Sequence, residues 1–342
     1  MTGTPNGLRF GSDTEPGIRR RGNKRFTYVD ERTGKEVTKR ADLERIARLA
    51  VPPAWTDVWI AADPKSHVQA TGRDARGRKQ YRYHPDFTAE RGSNKFGELV
   101  PFAAALGRIR RRVTRDLRGD PLSQEQVIAV VVRLLDTTGL RVGNPQYARE
   151  NGSYGLTTLR QRHATVRGSK LHLSFTGKSK HRFDVDVENA TLARIVRRCQ
   201  HMPGQRLFQY ETPEGERREV SSTDVNAYLA EYGNAGITAK TFRTWNATVM
   251  AGDLFAEAAS DGVEPTATSV NAVIDAVAEQ LGNTRAVCRA SYVHPAVLDA
   301  FVEQRLLPSW NRPVATRPSG LTVVERRVLR VLRAQRRDSV AA

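Results

Sequence analysis

Five residues of this chain have side chains that together suit chemistry on a phosphate ester: Arg141, Lys178, Arg243, Asn283 and Tyr292. A tyrosine phenol has a pKa near 10, so at neutral pH it needs assistance to attack a phosphodiester. The transition state of such an attack spreads negative charge over the non-bridging oxygens. Guanidinium groups keep their positive charge and present parallel donors, which suits those oxygens. The set therefore predicts a tyrosine nucleophile acting on a phosphodiester.

Each of these residues also has an ordinary explanation when it is taken alone. Tyr292 is one of nine tyrosines, and a single tyrosine at a helix end is usually a packing residue. Arg141 and Arg243 could be surface residues of a basic protein, and Lys178 could be a solvated lysine in a turn. The ordered set, with Asn283 nine residues before Tyr292, favours the catalytic interpretation.

Sequence signals predict a helix immediately before Arg141. Ser123 and Gln126 have the spacing of an N-terminal capping box, and the apolar run 127–135 ends before Gly139, a suitable residue for a helix C-terminus. Arg141 would then lie in a glycine-flanked break after this helix.

Lys178 is predicted to lie at the tip of a β-hairpin. Apolar and polar residues alternate on both sides of it, as in half-buried strands. The alternating apolar residues are Leu171, Leu173 and Phe175 in the first strand and Phe183, Val185 and Val187 in the second.

The other residues of the set fall on or after helical segments. Lys240 and Arg243 are three residues apart, which predicts that they share one helix face. Asn283 follows a helix that ends at Gly282. Helical patterns cover segments 95–117, 192–199, 224–232, 239–257, 269–281 and 295–306, and a basic amphipathic pattern covers 321–337.

The N-terminal quarter of the chain is typical of a small strand-rich domain. Segments 26–29, 55–60 and 79–83 have strand patterns, 30–35 is a hairpin turn signal, 41–50 is helical, and 72–77 is a glycine-bounded turn. We therefore expect an α+β protein of two domains. The expected boundaries are 1–88 for the N-terminal domain, 89–97 for a linker that overlaps the loop signal at 86–94, 98–310 for a mainly α catalytic domain with a small β-sheet, and 311–342 for a basic tail helix.

Charge predicts a polyanionic partner. Lysine and arginine total 55 against 37 acidic residues, a formal net charge of +18. Such an excess favours nucleic acid, because each phosphate contact releases condensed counterions. The two cysteines and the absence of an 18-residue apolar run or an apolar leader predict a cytoplasmic protein without disulfides or membrane spans.

Neither a cofactor nor a small-molecule substrate is expected. Gly177-Lys178-Ser179 resembles the end of a phosphate-binding loop, but His172 stands where that motif needs its first glycine. His163, His172 and His181 are nine residues apart, which is not a metal-ligand spacing.

The order Arg…Lys…Lys-x-x-Arg…Asn…Ser-Tyr resembles that of the type IB DNA topoisomerases, in particular their short bacterial and poxvirus branch. The resemblance also includes segments 72–81 and 150–159, so that it covers residues 25 to 305 with several motifs in register. It implies an enzyme that cleaves one strand of duplex DNA, lets that strand rotate and rejoins it, without ATP or metal.

The resemblance implies a role for each residue of the set. Tyr292 would form a 3′-phosphotyrosyl bond, Arg141 and Arg243 would bind the non-bridging oxygens, and Lys178 would protonate the departing 5′-hydroxyl. Some family members have histidine in place of Asn283. An asparagine side chain donates hydrogen bonds but carries no proton charge, so only oxyanion binding is expected here.

The resemblance further implies contacts with DNA outside this set. Gln80, Tyr81 and Tyr83 match a strand that faces the major groove, while Tyr147 and Lys240 match positions near the phosphates. The implied architecture is a monomer whose two lobes clamp a duplex.

Two other interpretations remain open at this stage. A tyrosine recombinase shares the chemistry, although recombinases usually have His-x-x-Arg where this chain has Lys240-x-x-Arg243, and they need synapsis. A basic architectural DNA-binding protein would form no covalent adduct, and Tyr292→Phe would change only its affinity for DNA.

Overall fold

The chain divides into two compact units, Met1–Lys95 and Phe96–Ala342. The computed structural model describes residues 7–22, 25–75, 77–88, 96–234, 236–314 and 320–341, with side chains up to residue 335. Most of the expected linker, residues 89–95, lies outside the described residues. The predicted mixture of helices and strands is confirmed, with a strand-rich first unit and a larger, mainly helical second unit.

The first unit is built on an antiparallel sheet in the order β2-β1-β3-β4-β5. Its core joins apolar residues of the strands to Ile46 of the helix. The elements are β1 Ile18–Arg21, β2 Thr27–Asp30, α1 Arg40–Arg48, β3 Thr56–Ile60, β4 Val68–Arg73 and β5 Lys79–Tyr83.

Two local predictions for the first unit differ from the structure. Gly72 lies inside β4 rather than in the expected turn. A Cβ atom there would come within 2.8 Å of the Trp55 ring and 3.1 Å of Val58, so this glycine serves close packing. The strand β2 pairs along its length with β1, and the expected hairpin partner contributes only one bridge, between Val29 and Glu36.

The second unit is a helical body with two small sheets. Its helices are α2 Leu99–Asp116, α3 Gln124–Thr138, α4 Pro145–Asn151, α5 Ala190–His201, α6 Ser222–Tyr232, α7 Ala239–Ser260, α8 Ala267–Leu281, α9 Arg285–Ser291, α10 Pro295–Val302, α11 Leu306–Trp310 and α12 Val323–Ala341. Its strands are β6 Ala164–Arg167, β7 Lys170–Thr176, β8 Arg182–Glu188, β9 Gln209–Glu211 and β10 Arg217–Glu219.

The ends of α3 explain how the chain reaches Arg141. The Ser123 hydroxyl accepts a hydrogen bond from the Gln126 amide (3.2 Å), and Gly139 takes a left-handed conformation (φ 63°) that ends the helix. Only half of the expected capping box forms, since the Gln126 side chain donates to the carbonyls of Leu117 and Gly119 instead.

The sheet that carries Lys178 has the order β6-β7-β8. The register pairs Leu171 with Val187, Leu173 with Val185 and Phe175 with Phe183, as the alternating pattern predicts. The strand β6 was not predicted, because four residues of mixed polarity carry too little periodicity.

The C-terminal helix belongs to the core of the second unit. Val328 and Leu332 of α12 are buried in that core, and Gly252 of α7 allows a close approach, since a Cβ there would lie 2.7 Å from Val328. The expected basic C-terminal helix is therefore packed against the rest of the second unit. No helix in the described part of the chain is long and apolar enough to cross a membrane.

Candidate active site

Tyr292 lies at the C-terminal end of α9, where it is half-buried. Its amide donates a hydrogen bond to the carbonyl of Cys288 (2.9 Å). Its carbonyl accepts one from the hydroxyl of Thr248 (3.1 Å), and that hydroxyl in turn accepts one from the amide of His294 (3.1 Å). One buried side chain of α7 thus fixes the backbone that carries the Tyr292 phenol.

Arg243 is a buried cation on α7, with 3% of its surface exposed. Its guanidinium donates to the carbonyls of Gly139 (2.7 Å) and Leu281, which terminate α3 and α8. The carbon of this guanidinium lies 5.1 Å from the centre of the Tyr292 ring. Burial, followed by the charge of Arg141, lowers the pKa of Arg243 to about 10, against the opposing effect of Tyr292.

Arg141 lies in the break after α3 and donates a hydrogen bond to the side-chain oxygen of Asn283 (2.6 Å). Burial lowers the pKa of Arg141, while charge and a hydrogen bond to Tyr292 oppose that shift. Segment 155–156 supports the loop of Arg141. The Arg141 carbonyl accepts a hydrogen bond from the Leu156 amide (2.9 Å), and a Cβ on Gly155 would lie 2.6 Å from the same carbonyl oxygen.

Three N–H groups of this site are buried without a hydrogen-bond partner among the described residues. They are Nη1 of Arg141, Nε of Arg243 and Nδ2 of Asn283. An unpaired buried donor is costly, roughly 1–3 kcal/mol each, so a cluster of three is unusual in a folded protein. All three are donors, and two belong to cations, so the arrangement suits a ligand that presents several anionic oxygens.

Lys178 lies at the exposed tip of the β7–β8 hairpin, as predicted. No side chain in the described ranges forms a hydrogen bond or ion pair with its amine. The hairpin itself packs on the corner before Asn283: a Cβ on Gly282 would lie 2.5 Å from the His181 ring and 2.7 Å from Phe183. Among the described residues, the structure thus brings the hairpin to the site without a hydrogen bond or ion pair between Lys178 and the other four residues.

Comparison with known proteins bears directly on this arrangement. Residues 84–305, more than half of the chain, match the family described as eukaryotic DNA topoisomerase I, catalytic core. Residues 25–74 match the family described as bacterial DNA topoisomerase IB, N-terminal domain. The chain belongs to the type IB DNA topoisomerase family.

Several relatives of this topoisomerase match along most of its length. The DNA topoisomerase 1B of Acanthamoeba polyphaga mimivirus is 32% identical over 291 residues, which cover 83% of this chain and 86% of the viral protein. The DNA topoisomerase 1B of vaccinia virus (strain Copenhagen) is 22% identical over 274 residues, covering 77% and 83%. The DNA topoisomerase 1 of Mycosarcoma maydis is 28% identical over 193 residues, covering 50% of this chain but 19% of the fungal protein.

Two further residues with predicted DNA contacts lie on the second unit of the topoisomerase. Tyr147 projects from α4 and is 44% exposed. Lys240 is exposed on α7, whereas Arg243, three residues later, is buried. Three residues turn by about 300° around a helix, so the two positions lie about 60° apart, and one can face solvent while the other faces the core.

In the first unit of the topoisomerase, β5 carries the other predicted DNA contacts. Tyr81 and Tyr83 are exposed and stack on each other, with ring centres 5.9 Å apart. The Gln80 amide donates to Asp74 (2.9 Å), so a contact between Gln80 and a base would have to compete with that hydrogen bond.

Two positioning residues of the topoisomerase were missed from the sequence. Thr248 resembles any other helical threonine until its two backbone partners are known. Gly155 lies in segment 150–159, and its close approach to Arg141 could be suspected only from its position within that motif.

Proposed function

We propose that this topoisomerase relaxes duplex DNA through a covalent Tyr292 intermediate, with neither ATP nor a metal ion in the reaction. The observation that carries the proposal is the cluster of three unpaired buried donors on Arg141, Arg243 and Asn283 beside the Tyr292 phenol. A scissile phosphodiester supplies the oxygens that these donors lack.

The cleavage step exchanges one ester bond for another. The Tyr292 oxygen forms a bond to phosphorus, the bond from phosphorus to the 5′-oxygen breaks, and a 3′-phosphotyrosyl ester remains. Negative charge grows on the non-bridging oxygens, where the guanidiniums of Arg141 and Arg243 and the amide of Asn283 stabilise it. The new ester resembles the old one in energy, so the free strand can rotate and the reaction can then reverse.

The departing 5′-oxygen needs a proton, and Lys178 is the proposed general acid. The role comes from the family resemblance, and the packing of the hairpin on Gly282 supports it. A better leaving group should make this proton unnecessary. Lys178→Ala should therefore cleave slowly on ordinary DNA and recover on a substrate with a 5′-thiolate leaving group; an equal defect on both substrates would remove the assignment.

The remaining DNA contacts are proposed in the same way. Gln80, Tyr81 and Tyr83 would face the major groove from the first unit, while Tyr147 and Lys240 would approach the backbone from the second. The two units would enclose the duplex as a clamp. A monomer is sufficient, because one tyrosine cleaves one strand.

Relaxation of a supercoiled plasmid in EDTA without ATP tests the proposal. The wild-type chain should relax the plasmid, and Tyr292→Phe should bind it without relaxing it or forming an adduct. Tyr28→Phe is the matched control, because it removes a hydroxyl from β2 of the first unit, outside the proposed chemistry and the proposed DNA contacts. An inactive wild type, or an active Tyr292→Phe, would contradict the proposal; strand exchange between two sites without relaxation would indicate a recombinase.

A further inference from the structure

On the outward face of the β6-β7-β8 sheet, the acidic side chains and two arginines lie towards opposite ends of the strands. At the end far from the hairpin tip, the acidic side chains have partners. Asp186 contacts Lys170 (2.9 Å) and His172 (2.8 Å), and Asp184 lies 3.3 Å from the other nitrogen of His172. The acidic half of this face is therefore largely neutralised by its own neighbours.

The end near the tip contains a cavity of about 420 Å³. Arg162 and Arg182 line it, together with Ser174, Thr176 and Tyr154. No acidic side chain lines this cavity among the described residues. Within the same ranges, neither arginine has a hydrogen bond or ion pair from its guanidinium.

His163 adds a neutral donor to the same cavity. Burial, followed by the charges of Arg162 and Arg160, lowers the pKa of His163 to about 4, so the ring is neutral at pH 7. Its Nδ1 accepts a hydrogen bond from the Arg160 amide (3.0 Å), which assigns the ring proton to Nε2. The cavity thus combines two cations with neutral groups that can donate.

The cavity is continuous with the elements that carry the proposed reaction. Thr176 precedes Lys178 by two residues, and its carbonyl accepts from the amide of Tyr154 (2.8 Å). The next residue, Gly155, packs against the carbonyl of Arg141. One short segment therefore forms a wall of the cavity and also supports the anion-binding loop.

We infer that this cavity binds a backbone phosphate of the DNA beside the scissile one, through Arg162 and Arg182. The inference rests on the proposed function, since it supplies a second phosphate contact to the same duplex. This phosphate contact would hold the β7–β8 hairpin on the DNA backbone without involving Lys178. Guanidinium groups with no internal carboxylate remain available for this contact.

The salt dependence of DNA binding tests this inference without any cleavage. In a Tyr292→Phe background, the affinity for a short duplex is measured by fluorescence anisotropy from low to high salt. Neutralising one phosphate contact contributes about 0.9 to the slope of log K against log salt. The double variant Arg162→Gln/Arg182→Gln should lose about that much slope. The control is Arg194→Gln/Arg197→Gln, which removes two exposed charges from α5, the helix that packs on the opposite face of the sheet; its slope should not change.

Each outcome separates the inference from the proposed function. Equal slopes for the cavity variant and the control would overturn the inference. If the cavity variant with its natural Tyr292 still relaxes plasmid, the proposed function stands regardless of that result. A site for free nucleotides is tested with dAMP at constant ionic strength. If dAMP raises the melting temperature of the parent and not of the cavity variant, while the salt slopes stay equal, the cavity is a nucleotide site and the inference is wrong.

Discussion

Two arginine centres in the second unit, both partly or fully buried, are constructed in opposite ways. Arg110 of α2 donates to both oxygens of Asp136, to both oxygens of Glu325 and to the carbonyl of Gly320, all at 2.7–2.8 Å. Burial alone would lower the pKa of Arg110, but the two carboxylates raise it above its ordinary value. Every donor of this guanidinium is used inside the protein.

The centre beside Tyr292 has no carboxylate partner among the described residues. Arg141 and Arg243 donate to an amide oxygen, to backbone carbonyls and to the Tyr292 phenol, and both have a lowered pKa. A buried cation with neutral partners and an unpaired N–H is poorly satisfied by the protein itself. The first centre therefore holds helices together, whereas the second leaves donors available for the scissile phosphate of the proposed reaction.

The largest effect should follow from breaking the paired centre. Arg110→Met leaves two buried carboxylates facing each other, so we expect the free energy of unfolding to fall by about 3–5 kcal/mol. The cleavage rate at a temperature where the variant is folded should stay close to that of the parent. Chemical denaturation and single-turnover cleavage of a short duplex measure the two quantities. Arg111→Met, which changes an exposed arginine of the same helix, should shift stability by less than about 0.5 kcal/mol.

Changing the unpaired centre should have the reverse effect. Arg141→Gln removes a donor for the developing charge, so cleavage should slow by about 10² to 10³-fold. Stability should change by only about 1 kcal/mol, because the hydrogen bonds that Arg141 loses go to neutral groups and each contributes little. A variant that loses stability and keeps its cleavage rate would show that Arg141 is structural. The two arginine centres would then not differ in role.

The sequence could predict where each side chain of the site lies on its element, but not which donors remain unpaired. Ser123, Gly139 and the alternation around Lys178 are local signals, and local geometry follows them. Lys240 and Arg243 show the limit: their spacing does not say which of them meets the core. That depends on the partners packed against α7, which come from distant parts of the chain.

The C-terminal helix illustrates the same limit at the scale of an element. Its arginines suggested a basic tail, yet Glu325 is 5% exposed and accepts from Trp245 (3.1 Å), two residues after Arg243. A single acidic residue among many basic ones gave no sign of this role. The partner Arg110 is more than two hundred residues away, so no periodicity in α12 could identify it.

A smaller effect should follow from loosening the backbone of the unpaired centre. Thr248→Val keeps the shape of the side chain but leaves the Tyr292 carbonyl and the His294 amide without their partner. We expect a loss of about 2 kcal/mol in stability and a cleavage rate that falls while DNA affinity is kept. Thr248→Ser retains the hydroxyl and should restore the rate. Equal rates for the valine and serine variants would show that the two hydrogen bonds do not position the nucleophile.

Acid should weaken the two centres in different pH windows. Burial lowers the pKa of His294 to about 4, from an ordinary 6.5, so the unfolded chain takes up this proton first as the pH falls. The stability that depends on neutral His294 is complete above pH 6.5 and is lost as the pH falls towards 4. Burial would raise the pKa of Glu325, but Arg110 outweighs it and the pKa is lowered, so the paired centre weakens only below about pH 4.5.

His294→Asn separates these two windows. The Nδ1 atom of His294 accepts from the Ala296 amide (3.0 Å) at the start of α10, and an asparagine oxygen can take over that cap without titrating. Between pH 7 and pH 5.5 the parent should lose about 1 kcal/mol more than the variant, because each pKa unit corresponds to 1.36 kcal/mol. Below about pH 4 the two denaturation curves should fall in parallel, since Glu325 is present in both. Parallel curves over the whole range would mean that His294 takes up its proton equally readily in the folded and the unfolded chain. The segment after Tyr292 would then be more open to water than its packing against Phe96 (ring centres 5.1 Å apart) indicates.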